Sequence, residues 1–224
     1  MKKNGIILIC LVCFGFSSWA QSHLQPKNSA KTEEAKNLME TVASKVRSYD
    51  NMEIEFEYTF RDPSADINQE TRGTVSLKGD KYRMDLMGII RIFDGEKIYT
   101  IVPEDEEVTI SSYDAANDQG LSPSQMLLFY EKGYNYKMDI VQNVLGRTIQ
   151  YVKLTPVDKN SEIKQILLGI DRQTKHIYNL IQNMKDGSQI TIEINSFKTN
   201  QPISDLLFTF REEKYKDYYI NRLD

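Results

Sequence analysis

Gly73-Thr74-Val75-Ser76-Leu77-Lys78-Gly79-Asp80-Lys81-Tyr82-Arg83-Met84-Asp85 places two runs of alternating polar and apolar residues on either side of a tight polar turn. A period of two marks a strand with one buried face, and Lys-Gly-Asp supplies the positive backbone angles that a short hairpin needs. A second hairpin follows at once, with Ile92-Phe93 and Ile98-Tyr99 flanking Asp94-Gly95. The chain is therefore expected to build a curved antiparallel sheet with one apolar face. What that face covers is the functional question.

Upstream, Ile54, Phe56, Tyr58 and Phe60 alternate with Glu53, Glu55, Glu57 and Thr59, a strand with one buried and one wet face. Short apolar runs continue to Val108 and Ile110, parted by turn signals at Gly88 and at Pro103-Glu104-Asp105-Glu106, so the first half reads as a meander. The second half returns to strands at 149–154, 163–170, 176–181, 190–194 and 206–210, with hairpin turns at 171–175 and at Asp186-Gly187-Ser188. Two helices interrupt this pattern. Thr32 is expected to cap the first, whose Ala35, Leu38, Met39, Val42 and Val46 form one apolar stripe. Ser122-Pro123-Ser124-Gln125 is expected to open the second, with a cap, a proline at the first helical position and a capping-box glutamine. Its first turns, Met126-Leu127-Leu128-Phe129-Tyr130, are apolar on all sides, so this helix is either buried on several faces or packed over a hollow.

The N-terminus carries Lys2-Lys3, an apolar run at 6–16 and Ser18-Trp19-Ala20, the order of a secretory signal, with cleavage expected after Ala20. Residues 21–31, with Pro26, are expected to form a disordered leader, and 32–224 a single domain. The apolar run is about half the ~20 residues that a bilayer span needs, which implies an exported, soluble protein. Both cysteines, Cys10 and Cys13, lie in the signal, so no disulfide framework is available to the mature chain. A lipid anchor at Cys13 would call for a small residue before it, where bulky Val12 stands. Removal of Lys2 and Lys3 turns 28 bases and 32 acids into 26 and 32, a net charge of −6. An evenly mixed acidic surface argues against nucleic acid as a partner.

Catalytic and metal chemistry find little support in the residue inventory. The chain has two histidines; His23 falls in the leader and His176 at a hairpin turn, where a solvated turn histidine is the simplest reading. No nucleophile elbow, zinc motif, phosphate loop or dinucleotide fingerprint is present, and no cofactor or metal is expected. Two carboxylates could still hydrolyse a glycan or lipid of the envelope, but the acids cluster on a wet strand face and in the loop at Glu104–Glu107, where they read as solvated charge. Apolar lining is in excess instead: Phe56, Tyr58, Phe60, Val75, Leu77, Tyr82, Met84 and Leu86 fall on one side of the paired strands. Such a face is either an ordinary filled core or the wall of a cavity.

The order of these features resembles the periplasmic outer-membrane lipoprotein carrier family, the LolA-like proteins. The likeness runs from the Ala35 helix through the strand ending in Phe60, Gly73 to Lys78 with Lys81-Tyr82-Arg83 returning, Asp94-Gly95, Ser122-Pro123 with Leu127-Leu128, Leu154-Thr155-Pro156, Asp186-Gly187 and Phe208-Thr209-Phe210. It implies an α+β fold: a strongly curved antiparallel sheet forming an incomplete, unclosed β-barrel, with helices as a lid over an apolar cavity. The implied function is that of a non-enzymatic periplasmic carrier, a monomer. It would take up the acyl chains of acylated lipoproteins from an inner-membrane lipoprotein-releasing transporter and deliver them to the outer membrane, with an outer-membrane receptor as a further partner. The eight residues above would line the acyl-chain cavity, and Leu38, Val42, Met126, Leu127, Phe129 and Tyr130 would belong to the lid. Arg83, Lys78 or Lys81 would latch the lid or dock a partner, although the turn here, Lys78-Gly79-Asp80-Lys81, is shorter than the family's and lacks its proline. The C-terminal Lys214-Tyr215-Lys216-Asp217 and Asn221-Arg222-Leu223 also depart from the family pattern. A lipid-sensing regulatory protein on the same half-barrel is the alternative, and an envelope hydrolase using two acids a more distant one.

Overall fold

A computed structural model describes residues 27–113 and 127–223, with side chains from Lys31 onward. The expected signal, His23, Met126 and the start of the Ser122 helix lie outside the described residues. One helix, α1 (Lys27–Arg47), precedes β1 (Asn51–Asp62), β2 (Ile67–Lys78), β3 (Lys81–Leu86), β4 (Ile89–Phe93), β5 (Lys97–Val102) and β6 (Glu107–Ser112). After a single 3₁₀ turn at Phe129–Glu131 come β7 (Tyr134–Val144), β8 (Arg147–Pro156), β9 (Ile163–Asp171), β10 (Ile177–Met184) and β11 (Gln189–Thr199). Two further 3₁₀ turns, Asp205–Phe208 and Glu212–Tyr215, lead to β12 (Tyr219–Leu223).

The strands form one sheet in the order β12-β6-β5-β4-β3-β2-β1-β11-β10-β9-β8-β7. Two antiparallel meanders thus join where β1 pairs with β11, for example Tyr58 with Ile192, and only β12 runs parallel to its neighbour, β6. The sheet is strongly curved and stays unclosed, with β12 and β7 at its edges, which is the α+β half-barrel expected above. The hairpin quoted at the outset pairs Leu77 with Tyr82 and Val75 with Met84, and Gly79 takes the positive φ of 57° that its turn requires.

On the inner face, Ala35, Met39, Val42 and Ala43 of α1 pack on Val152 and Leu154 of β8 and on Ile166, Leu168 and Ile170 of β9. A second core joins Val46 at the end of α1 to Ile54, Phe56, Val75, Leu77, Tyr82, Phe93 and Ile98. The outer face is not uniformly wet as the alternation of β1 suggested. Ile92, Ile101, Val108 and Ile110 are buried there beneath Phe210, Tyr215, Tyr218 and Ile220 of the C-terminal segment. The physical signal is that 89–93 and 98–102 are apolar nearly throughout, as strands covered on both faces are.

Other expectations are corrected. The leader expected through Lys31 is helical from Lys27, and Thr32 lies within α1, because Ala30, Lys31, Glu33, Glu34, Ala35 and Lys36 all favour helix and no glycine or proline intervenes before Arg47. The stretch 206–210 is a 3₁₀ turn rather than a strand, with the Ser204 side chain accepting a hydrogen bond from the Leu206 backbone N–H. Of the second helix, residues 127–131 form a turn followed by the 3₁₀ turn. Strand β7 had not been anticipated, although Tyr134, Tyr136 and Met138 alternate with Asn135, Lys137 and Asp139 and pack half-buried on the α1 core; beyond Met138 this edge strand is largely exposed and the alternation stops.

Candidate functional site

Because α1 lies over β7 to β9, the inner face beneath β1 to β3 and β9 to β11 is left with a cavity of about 390 Å³. Its walls come from strands far apart in sequence. Ile54, Phe56 and Tyr58 stand on β1, Val75 on β2, and Met84 and Leu86 on β3; Leu168, Leu180, Ile190, Ile192 and Ile194 stand opposite on β9 to β11. Leu127, Phe129 and Tyr134 close one side. Among the described residues Gln182 is the one amide in the lining, its Nε2 held 3.2 Å from the Met184 sulfur, and no charged side chain contributes. A pair of carboxylates for hydrolysis is therefore not found in this cavity.

Gly73 shapes the cavity from below. It sits opposite Phe56 across the β1–β2 ladder, and the ring lies over it so closely that a β-carbon would stand 2.4 Å from Cζ. With no side chain at position 73, Phe56 lies down against the sheet and leaves the space above it open.

Of the residues read as cavity wall, Phe56, Tyr58, Val75, Met84 and Leu86 line it. Leu77 and Tyr82 do not: each is 2% exposed or less and belongs to the packed core, Tyr82 with its ring 5.9 Å from that of Phe93. Phe60 shares their face two residues beyond Tyr58 and lies outside the lining. Among the residues assigned to the lid, Leu127 and Phe129 reach the cavity, whereas Val42 and Tyr130 are fully buried in the α1 core and Leu38 packs at its margin. The half of the lining on β9 to β11 was missed, although its strands had been located. The alternation of Ile190, Ile192 and Ile194 carries the same signal as that of β1.

The basic residues do not gather at the lid. Lys78 Nζ donates to Asp205 Oδ1 at 2.9 Å, Lys81 passes beside Gly95, and Arg83 lies in a separate hollow on the outer face. The tie between α1 and the Phe129 segment is instead an ion pair of Arg47 with Glu131. The end of α1 is also fastened to the β9–β10 turn, where Lys45 Nζ donates to the Thr174 carbonyl at 2.6 Å and the Tyr49 hydroxyl meets His176 Nε2 at 2.7 Å. His176 is thus half-buried rather than solvated, its ring centroid 4.4 Å from that of Phe197. Burial and then the charge of Lys45 hold its pKa below the ordinary histidine value.

The family model of the outer membrane lipoprotein carrier protein LolA matches residues 47–211. Among solved structures, an uncharacterized conserved protein from Thermus thermophilus superposes with a TM-score of 0.57 at 8% identity, covering 85% of this chain and 99% of that one. A LolA superfamily protein from Nitrosomonas europaea matches at 12% identity and TM-score 0.42, over 79% of this chain and 97% of its own. The Mycobacterium tuberculosis lipoprotein LppX matches at 12% identity and TM-score 0.48, over 75% and 98%. None of the curated proteins compared matches the chain. Among the described residues no helix is long and apolar enough to cross a membrane.

Proposed function

Because the chain belongs to the LolA family of outer membrane lipoprotein carrier proteins, we propose that it takes the acyl chains of lipoproteins into the inner-face cavity and carries them from the inner to the outer membrane. The observation that supports this reading is the cavity itself: about 390 Å³ walled by aliphatic and aromatic side chains, with no charge and a single amide among the described residues. Each methylene moved from water into such a site contributes about 0.8 kcal/mol, so sheltering one long chain is worth on the order of 10 kcal/mol. That is enough to hold an acylated protein in an aqueous compartment. Gln182 offers an amide N–H suited to an ester or amide carbonyl at the head of the chain, beside the hydroxyl-bearing rings of Tyr58 and Tyr134.

A carrier has to release its cargo as well as hold it. The Leu127–Phe129 wall meets this need, since Leu127 and Phe129 are only partly buried and the segment is anchored at its far end, where Tyr130 packs in the α1 core and Glu131 pairs with Arg47 at the surface. The proposal extends to an exported single domain, to an inner-membrane transporter that hands over cargo, and to an outer-membrane acceptor. The test is native mass spectrometry of protein purified from its own envelope, with uptake of a fluorescent fatty acid measured in parallel. Acylated species bound to the parent and lost in Tyr58→Glu, with an unchanged circular dichroism spectrum, are the expected result. A clean unliganded mass together with no probe uptake by the parent would refute the carrier reading.

A further inference from the structure

On the outer face, the C-terminal segment encloses a second hollow of about 250 Å³ between β3, β4 and residues 206–215. Arg83 enters it from β3, and Arg211 and Lys214 from the turn that begins the Glu212–Tyr215 helix. The Lys214 N–H donates to the Arg211 carbonyl at 3.1 Å, closing a turn from which both cations line the hollow. The neighbouring acids are engaged elsewhere, Asp205 by Lys78 at 2.9 Å and Glu212 by Arg222 at 2.7 Å, and Glu213 does not line the hollow. Among the described residues, none of the three cations has an acidic partner within 4.0 Å. Three uncompensated positive charges on a chain of net charge −4 are a local reversal that the fold does not need.

The floor is apolar and rigid. Ile92 is 2% exposed, and the rings of Tyr99, Phe210 and Tyr215 stack with centroids 4.6 and 5.3 Å apart. Leu206, 64% exposed, stands at the rim. We propose that this hollow binds the phosphate group of an anionic glycerophospholipid, with Arg83, Arg211 and Lys214 on the phosphate oxygens and Leu206 against the glycerol and the start of the acyl chains. Planar guanidinium groups match phosphate oxygens in pairs, and three cations suit a phosphate better than a carboxylate. The site lies on the face opposite the cavity, so it does not depend on the carrier reading. It would let the protein sit on an anionic bilayer with its cavity free.

The experiment is co-sedimentation with vesicles of phosphatidylcholine alone and of phosphatidylcholine with phosphatidylglycerol, alongside titration of inorganic phosphate followed through the arginine side-chain N–H resonances. The parent is expected to bind the vesicles containing phosphatidylglycerol. The double variant Arg83→Gln, Arg211→Gln should lose about five-fold per cation, roughly 25-fold in all, while taking up the fatty-acid probe as the parent does. The charge-matched variant Lys164→Gln, Arg172→Gln, altered at exposed positions elsewhere, should bind the vesicles like the parent. Shifts of Arg83 and Arg211 with inorganic phosphate, but no vesicle binding, would support the phosphate site with free phosphate as its source. Equal losses in the two double variants, or neither phosphate shifts nor vesicle binding, would overturn the proposal.

Discussion

Replacing Gly73 by alanine adds one β-carbon directly beneath the Phe56 ring, 2.4 Å from Cζ and 2.8 and 3.0 Å from the two Cε atoms. Carbon atoms in contact prefer about 3.5–4.0 Å, so the ring has to retreat by about 1 Å or more. Its backbone is held in two ladders, opposite Gly73 on β2 and Ile194 on β11, and the open direction is the cavity. Overpacking of this kind costs about 1–3 kcal/mol, against a gain of about 0.5–1 kcal/mol for replacing glycine in a strand. A net loss of about 0.5–2 kcal/mol follows, which lowers Tm by a few degrees in a chain of this size. The effect on ligand is larger. If the displaced ring takes the room of about three methylenes, about 2.4 kcal/mol of burial is lost, close to a fifty-fold weaker Kd for a long-chain fatty acid. Titration with a fluorescent fatty acid measures this, and Gly73→Ala combined with Phe56→Leu, which removes the ring, should recover most of the affinity. Unchanged probe affinity in Gly73→Ala would refute the reasoning, since it would mean that the position of Phe56 does not set the cavity.

Arg47→Gln should lower stability by less than about 1 kcal/mol, because exposed ion pairs contribute little, yet it should speed probe release in stopped-flow exchange by removing one of the contacts that hold the Phe129 segment to α1, the packing of Tyr130 remaining. His176 is held below its ordinary pKa of about 6.5 by burial and by Lys45, so the unfolded chain takes up the proton first. The stabilising contribution is therefore full above that value and is lost as pH falls through it; the protection factor against hydrogen exchange at the end of α1, taken relative to the intrinsic rate at each pH, should fall between about pH 7 and pH 5, and much less so in His176→Gln. Gly169→Ala would put a β-carbon 2.2 Å from Asn179 Oδ1 and 3.1 Å from both Ile149 and Tyr151, and should cost about 1–3 kcal/mol in denaturant unfolding. Tyr130 is fully buried, and its hydroxyl has no hydrogen-bond partner among the described residues; Tyr130→Phe should leave stability unchanged or raise it by about 1 kcal/mol.

Strands β1 to β3 and β6 were legible because their apolar residues alternate, and β4 and β5 because glycine or proline turns at Gly88, Asp94-Gly95 and Pro103 bracket short apolar runs. Strand β7 escaped because its alternation, Tyr134, Tyr136 and Met138, stops after three positions at an exposed edge, and β12 because five residues of the tail carry too little pattern. Within the site, Phe56, Tyr58, Val75, Met84 and Leu86 could be assigned to one face from alternation alone. The same alternation could not separate them from Leu77 and Tyr82, which point the same way but lie nearer the β2–β3 turn, where Phe93 and Ile98 fill the space. Which part of an apolar face is filled and which is open depends on what lies above it. That is decided by where α1 lands, a long-range fact with no local signal. The Arg47–Glu131 and Tyr49–His176 pairs join residues 84 and 127 positions apart, and escaped for the same reason.

An apolar face left unfilled withdraws stability from the fold. A cavity of about 390 Å³ leaves its lining side chains short of packing partners, a cost that grows with the volume left unfilled. A sheet that keeps such a space has to be held together elsewhere, and here the outer face contributes. Ile92, Ile101, Val108 and Ile110 are buried under a C-terminal segment clamped by the Tyr99–Phe210–Tyr215 stack, and Ile149, Tyr151 and Tyr178 form a further cluster beneath the other meander. The two outer clusters grip the two halves of the sheet, while β1 and β11, which join those halves, have their inner residues facing the cavity. Stability is thereby shared between these outer clusters and the two inner-face cores that flank the cavity. A substitution on the inner wall, such as Tyr58→Glu, can change ligand affinity while leaving both outer clusters intact, whereas Ile101→Ala, at a fully buried outer position, should cost about 2–5 kcal/mol in unfolding and leave the probe affinity of the surviving folded fraction unchanged.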